Sequence, residues 1–136
     1  MANIELRRVW IIDDAADKKD GFPRRIWDLI EAKQAPELRM AYQAVNMWWR
    51  KDSPVIALTS SLEKTAPFNG FIYVQDYGRS LLIGRAVVEP DTLNRFKWMA
   101  AAAFEHLIDS AINEIVEAEK GGEITVRGEK STDTST

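Results

Sequence analysis

A chain of 136 residues is the size of one ordinary domain, and with 46% hydrophobic residues it can bury a core without covalent staples. It has no cysteine, so disulfides, thiolate metal sites and cysteine nucleophiles are excluded. The net charge of −3 is uneven, with ten Lys and Arg against eight Asp and Glu in residues 1–51 and eight against thirteen in 52–136.

The stretch IELRRVWII (4–12) alternates Ile4, Leu6, Trp10 and Ile12 onto one face and predicts a strand, with Arg8 the exception to the pattern. DDAADKKDG follows as a polar loop with Asp13, Asp14, Asp17 and Asp20. Pro23 suits a first helical turn, and Phe22, Ile26, Leu29 and Ile30 recur at helical spacing, so 23–33 is expected to be a helix. Pro36 ends it and can start another. Leu38, Ala41, Tyr42, Val45, Trp48 and Trp49 fall on one side of a helix over 36–50. On that reading Arg50 and Lys51 occupy its C-terminus, where the helix dipole favours cations, and Ser53 and Pro54 close it.

VIALTS (55–60) reads as a strand, and the loop after it could hold one helical turn capped by Ser60 and Glu63. FIYVQD and RSLLIGRAVVE flank Tyr77–Gly78 and predict a hairpin, because Gly supplies the positive φ a tight turn needs. Residues 92–119 predict a long helix, with Asp91 or Thr92 as cap and Gly121–Gly122 as stop. Glu105, Asp109, Asn113 and Glu117, four apart, make one wet stripe on it, opposite a wide apolar sector. EITVR can add a last short strand.

These elements predict an α+β fold: an antiparallel sheet of about four strands, with two N-terminal helices and a long C-terminal helix packed on it. Residues 1–126 are expected to form a single globular domain and 127–136 a disordered polar tail. The element order resembles that of helix-grip folds, where a long C-terminal helix lies across a curved sheet, although too few strands are visible in the sequence to assign the chain to them. With no long apolar run and no secretory leader, a soluble, cytoplasmic protein is expected.

The only histidine, His106, could act as a general base oriented by Asp109 one turn on, or be a half-exposed helix residue with no catalytic part. A single histidine excludes multi-histidine metal sites. The four-aspartate loop could ligate Mg²⁺ or Ca²⁺ but lacks the EF-hand spacing, which favours a solvated, helix-capping loop. There is no GxGxxG and no Walker pattern, so no cofactor is implied and an enzyme is not favoured.

The remaining candidate is a basic–aromatic set. It comprises Arg7 and Arg8, Lys18 and Lys19, Arg24 and Arg25 beside Trp27, and Trp48, Trp49, Arg50 and Lys51; the interaction residues expected are Arg24, Arg25, Trp48, Arg50, Lys51 and Trp98. Aromatic platforms next to cations suit single-stranded nucleic acid or a protein interface. The simpler alternative is that the tryptophans serve the core and the cations are solvated.

The preferred reading is a non-enzymatic protein-interaction or regulatory module, homodimeric through the long C-terminal helix. Its motive is the wide apolar sector of that helix and the absence of a catalytic constellation. The second reading is a nucleic-acid-binding accessory protein, although its acidic total charge argues against a dedicated binder. The third is a small-molecule-binding protein or enzyme with a pocket between sheet and long helix, using Tyr73, Asp76, Arg85 and His106.

Overall fold

The computed structural model describes residues 8–47, 50–60, 68–88 and 95–124, with the backbone alone at 47, 50–53 and 95–98. Six strands and two α-helices run in the order β1 (Arg8–Ile12), α1 (Phe22–Ala32), β2 (Leu38–Met47), β3 (Arg50–Ser60), β4 (Phe68–Tyr77), β5 (Ser80–Val88), α2 (Arg95–Ala118) and β6 (Gly122–Ile124). All the strand pairs are antiparallel, and the strand order is β2-β3-β4-β5-β1-β6. The chain is therefore α+β, with a six-stranded sheet, one N-terminal helix and one C-terminal helix.

This corrects the expectation of two N-terminal helices and about four strands. Residues 38–47 form a strand, not a helix. The stretch LRMAYQAVNM satisfies two periods at once: Leu38, Ala41, Tyr42 and Val45 at helical spacing, and Leu38, Met40, Tyr42 and Ala44 at alternate positions. Ladder pairing with β3, from Leu38 opposite Ser60 to Val45 opposite Ser53, settles the choice in favour of the second period. Tertiary pairing here overrides the helix preference of Ala, Leu, Met and Gln.

Pro54 lies inside β3 and does not close an element. Pairing of β3 with β4 starts only at Ile56, so at Pro54 the strand has a neighbour on the β2 side alone. A sheet tolerates proline where one side of a strand is unpaired.

Both helices pack on the same face of the sheet. That face carries Trp10 and Ile12 of β1, Ile56 and Leu58 of β3, Phe68, Ile72 and Val74 of β4, and Leu81 and Ile83 of β5. Phe22, Ile26 and Ile30 from α1 complete one side of this core, each fully buried and each contributing about 1.5–3 kcal/mol. Phe104, Ile108, Ala111, Ile112 and Ile115 from α2 complete the other. The part of the long helix's apolar sector formed by Phe104, Ile108, Ala111, Ile112 and Ile115 is thus covered by the chain's own sheet and α1, while Ala103 is exposed.

Gly70 lets α2 come this close, because a Cβ there would stand 2.9 Å from Ile108 Cδ1 and 3.2 Å from Phe104 Cζ. The expected hairpin forms with Tyr77 opposite Ser80 and Gly78 at φ +62° in its two-residue turn. The opposite face of the sheet holds a smaller cluster, in which Val55 and Tyr73 are buried against Val45 and Phe71.

Candidate functional site

Three elements each place one charge in the core-facing phase. Arg8 of β1 and Arg85 of β5 are cross-strand partners, and both reach α2 at Asp109. Asp109 Oδ1 accepts Arg85 Nε at 2.7 Å, and Oδ2 accepts Arg85 Nη2 at 2.8 Å and Arg8 Nη1 at 2.5 Å. Arg85 and Asp109 are only 6% and 9% exposed.

Arg8 turns the rest of its fork to Glu123 of β6, with Nε 2.7 Å from Oε2 and Nη2 2.5 Å from Oε1. This hydrogen bond holds the Arg8 guanidinium protonated more firmly than usual, and holds the Glu123 carboxyl below the usual carboxylate range. The guanidinium also lies 5.1 Å from the centre of the Trp10 ring. Trp10 Nε1 in turn donates to Asn113 Oδ1 at 2.7 Å.

The Asp109–Asn113 stripe on α2 therefore faces protein, not water. Arg8 and Arg85 fill what an all-apolar pattern would leave, and buried polar groups take partners because leaving them unmade is costly. The cluster is self-neutralising: bidentate arginine forks meet carboxylates that accept from several donors. It acts as a staple between sheet and helix, and it takes up Asp109, the group expected to orient His106.

His106 itself is exposed and lines a cleft of about 330 Å³ with Ser60, Leu38, Phe104 and Ser110. The other residues named for a pocket between sheet and long helix do not converge on it. Tyr73 is buried on the opposite face of the sheet, Asp76 is exposed at the hairpin end beside Lys19, and Arg85 is bound to Asp109. A second cleft of about 290 Å³ opens between the turn before α1 and the sheet.

Of the basic–aromatic set, Arg24, Arg25 and Trp27 lie on α1. Arg24 bridges Asp28 one turn on at 3.1 Å, and Arg25 reaches Glu119 at 3.0 Å. Trp27 stacks on Tyr42 with ring centres 4.7 Å apart. Arg50 and Lys51 open strand β3 instead of ending a helix, so the dipole argument for them falls away. Trp98 lies on the backbone of α2. Trp48 and Trp49, residues 4–7 of the first expected strand, the turn after Ser60, the caps at Asp91 and Thr92, and the tail lie outside the described residues.

The uneven charge has an intramolecular outlet. Lys18 Nζ is 2.5 Å from Glu119 Oε1, Lys33 pairs with Glu114, and Arg79 pairs with Asp14. Lys18 foremost, with Arg25, keeps the Glu119 carboxyl below its ordinary range. Lys18, Arg25 and Lys33 of the first third thus meet acids of the last, while Arg79 of the middle third meets Asp14 of the first. The aspartate loop docks on the hairpin, Asp13 accepting from Ser80 Oγ at 3.1 Å, and it provides no side-chain cap to α1. Among the described residues no group of three His, Asp or Glu is placed to hold a metal ion.

No protein-family model, curated protein or solved structure matches this chain. No helix among the described residues is long and apolar enough to cross a membrane.

Proposed function

We propose that this chain is a non-enzymatic interaction module that pairs with a second copy of itself along β2. The observation that supports the reading is the edge. Among the described residues β2 has a strand neighbour on one side only, and Ala41, Tyr42, Gln43 and Ala44 are all exposed. Edge strands are normally blunted by charge, proline or brevity. This one is ten residues long, contains no proline and carries one charge, Arg39.

A second copy suits it because antiparallel pairing of a strand with itself is self-complementary about a two-fold axis. Pairing residues 39–45 this way, centred on Tyr42, sets Arg39 against Val45 of the partner subunit, so the two arginines stand apart at opposite ends. The irregularity between Val45 and Met47 closes the usable stretch.

A dimer through α2 has less to offer. Most of its described apolar residues are buried within the chain, and among the described residues of α2 Met99, 72% exposed, is the large apolar side chain left beside exposed Ala102 and Ala103. The nucleic-acid reading has weaker support, since Arg24 and Arg25 are each paired with a carboxylate.

Light scattering on the eluting protein tests the proposal. The wild type is expected to run as a dimer, and Ala41→Lys with Gln43→Lys as a monomer. A wild type that stays monomeric at high concentration defeats it. So does a lysine variant that remains dimeric, and Met99→Lys as the sole dissociating change would move the interface to α2.

A further inference from the structure

We propose that the 290 Å³ cleft beside α1 is a binding site for a small aromatic amine, a flat apolar body carrying one positive charge. The inference goes beyond self-association and does not depend on it.

The cleft has a built floor. Tyr42, Ile56 and Ile72 follow one another across three strands in register, and Val74 lies two residues beyond Ile72 on the same face. Ile56 and Ile72 are each 1% exposed, so the floor is set by the core and not by mobile side chains. Tyr42, braced by its stack on Trp27, forms a flat wall, with Pro23 and Pro54 also lining the space. A volume near 290 Å³ lies at the lower end of small-molecule sites and equals the liquid share of about ten waters. That volume suits an occupant of about ten to fifteen heavy atoms.

The rim decides the charge. Lys19, Asp20 and Arg24 border the opening. Lys19 Nζ is 3.2 Å from Asp76 Oδ1, and Arg24 Nε is 3.1 Å from Asp28 Oδ1, so each cation has its own acid. The Lys19 hydrogen bond also holds the Asp76 carboxyl below its ordinary range and keeps that pair ionised. Asp20 remains, and among the described residues it has no ion-pair partner. Lys19, Arg24, Asp76, Asp28 and Asp20 together sum to one net negative charge beside an aromatic wall. A monocation fits both, through the carboxylate and through attraction to the ring.

The probe is 2-naphthylmethylamine, against 2-naphthalenemethanol as its neutral counterpart and 2-naphthoate as its acid. Binding is read from methyl shifts of Ile56, Ile72 and Val74 in the full chain. The amine is expected to bind saturably and at least tenfold more tightly than the alcohol, with the acid weaker still. Asp20→Asn is expected to bring the amine down to the alcohol's affinity while leaving the alcohol unchanged.

Val74→Phe should abolish binding of both, and the surface change at Asp20 keeps the test open if that variant does not fold. The same preference is expected in the Ala41→Lys, Gln43→Lys chain, which separates this site from the β2 edge. No methyl shift at millimolar amine overturns the proposal. So does an acid or alcohol that binds as well as the amine, or an Asp20→Asn chain that keeps the discrimination.

Discussion

Replacing Asp109 with Ala removes the acceptor of three charge-assisted hydrogen bonds and leaves Arg85, 6% exposed, as a buried cation. Its remaining carboxylate, Glu105 Oε1, stands 3.7 Å away, too far for a hydrogen bond. Arg8 suffers less, since it is part-exposed and keeps both oxygens of Glu123. Breaking a buried pair on one side costs about 3–5 kcal/mol. For a domain of this size that lowers the melting temperature by about 10–20 °C.

The pair itself need not be stabilising relative to a well-packed apolar replacement. Arg85→Met with Asp109→Leu is therefore expected to lie within about 1 kcal/mol of the wild type. Urea unfolding followed by tryptophan fluorescence measures all three chains. The reasoning is refuted if Asp109→Ala costs under about 1 kcal/mol, or if the double variant is no more stable than the single one.

Three further outcomes follow from the same packing. Asn113→Ala leaves the fully buried Trp10 N–H without its acceptor and should cost about 1–3 kcal/mol, again by urea unfolding; a loss near zero would mean the bond contributes nothing net. Gly70→Ala drives a methyl against Ile108 and Phe104 and should cost about 1–3 kcal/mol, whereas an unchanged midpoint would show that α2 can recede.

Acid should weaken the fold in a defined window. The Glu119 and Glu123 carboxyls are held down by Lys18 and Arg8, so their stabilisation is complete above about pH 4.5, their unfolded value, and is lost as pH falls through the lower folded values. Glu119→Gln should flatten part of that fall. Parallel pH profiles for variant and wild type would rule Glu119 out as a contributor.

The second half of β3 at 55–60, the Tyr77–Gly78 hairpin, the first helix and the long helix from Arg95 onward were legible because each shows one dominant period, although Pro54, which looks like a stop, lies inside β3. Residues 38–47 were not, since Leu38, Tyr42 and Val45 fit both a helix and a strand until β3 is alongside. The polar cluster left a trace that is easy to misread. Arg8 interrupts the alternation of its strand, Arg85 sits inside LLIGRAVV, and Asp109 belongs to what looks like a solvent stripe. Each is an anomaly alone. Only the topology, which sets β1 next to β5 beneath α2, makes the anomalies complementary. His106 and Asp109 illustrate the converse: one helical turn apart in sequence, they are divided between a cleft and the core.

The position of β1 fixes the order in which the chain can assemble. Its ladder partners are β5 and β6, and Arg8 closes on Asp109 and Glu123, 101 and 115 residues further on. During synthesis the first strand has no ladder partner until residues 80–88 have left the ribosome, and its Arg8 contacts wait longer, for Asp109 and Glu123. The β2–β5 meander can form from near neighbours in the meantime. Closure around residues 8–12 is then the late, long-range step, whose loop entropy weighs on the folding rate. The same contact that fastens the helix to the sheet also registers that the chain is complete through residue 123.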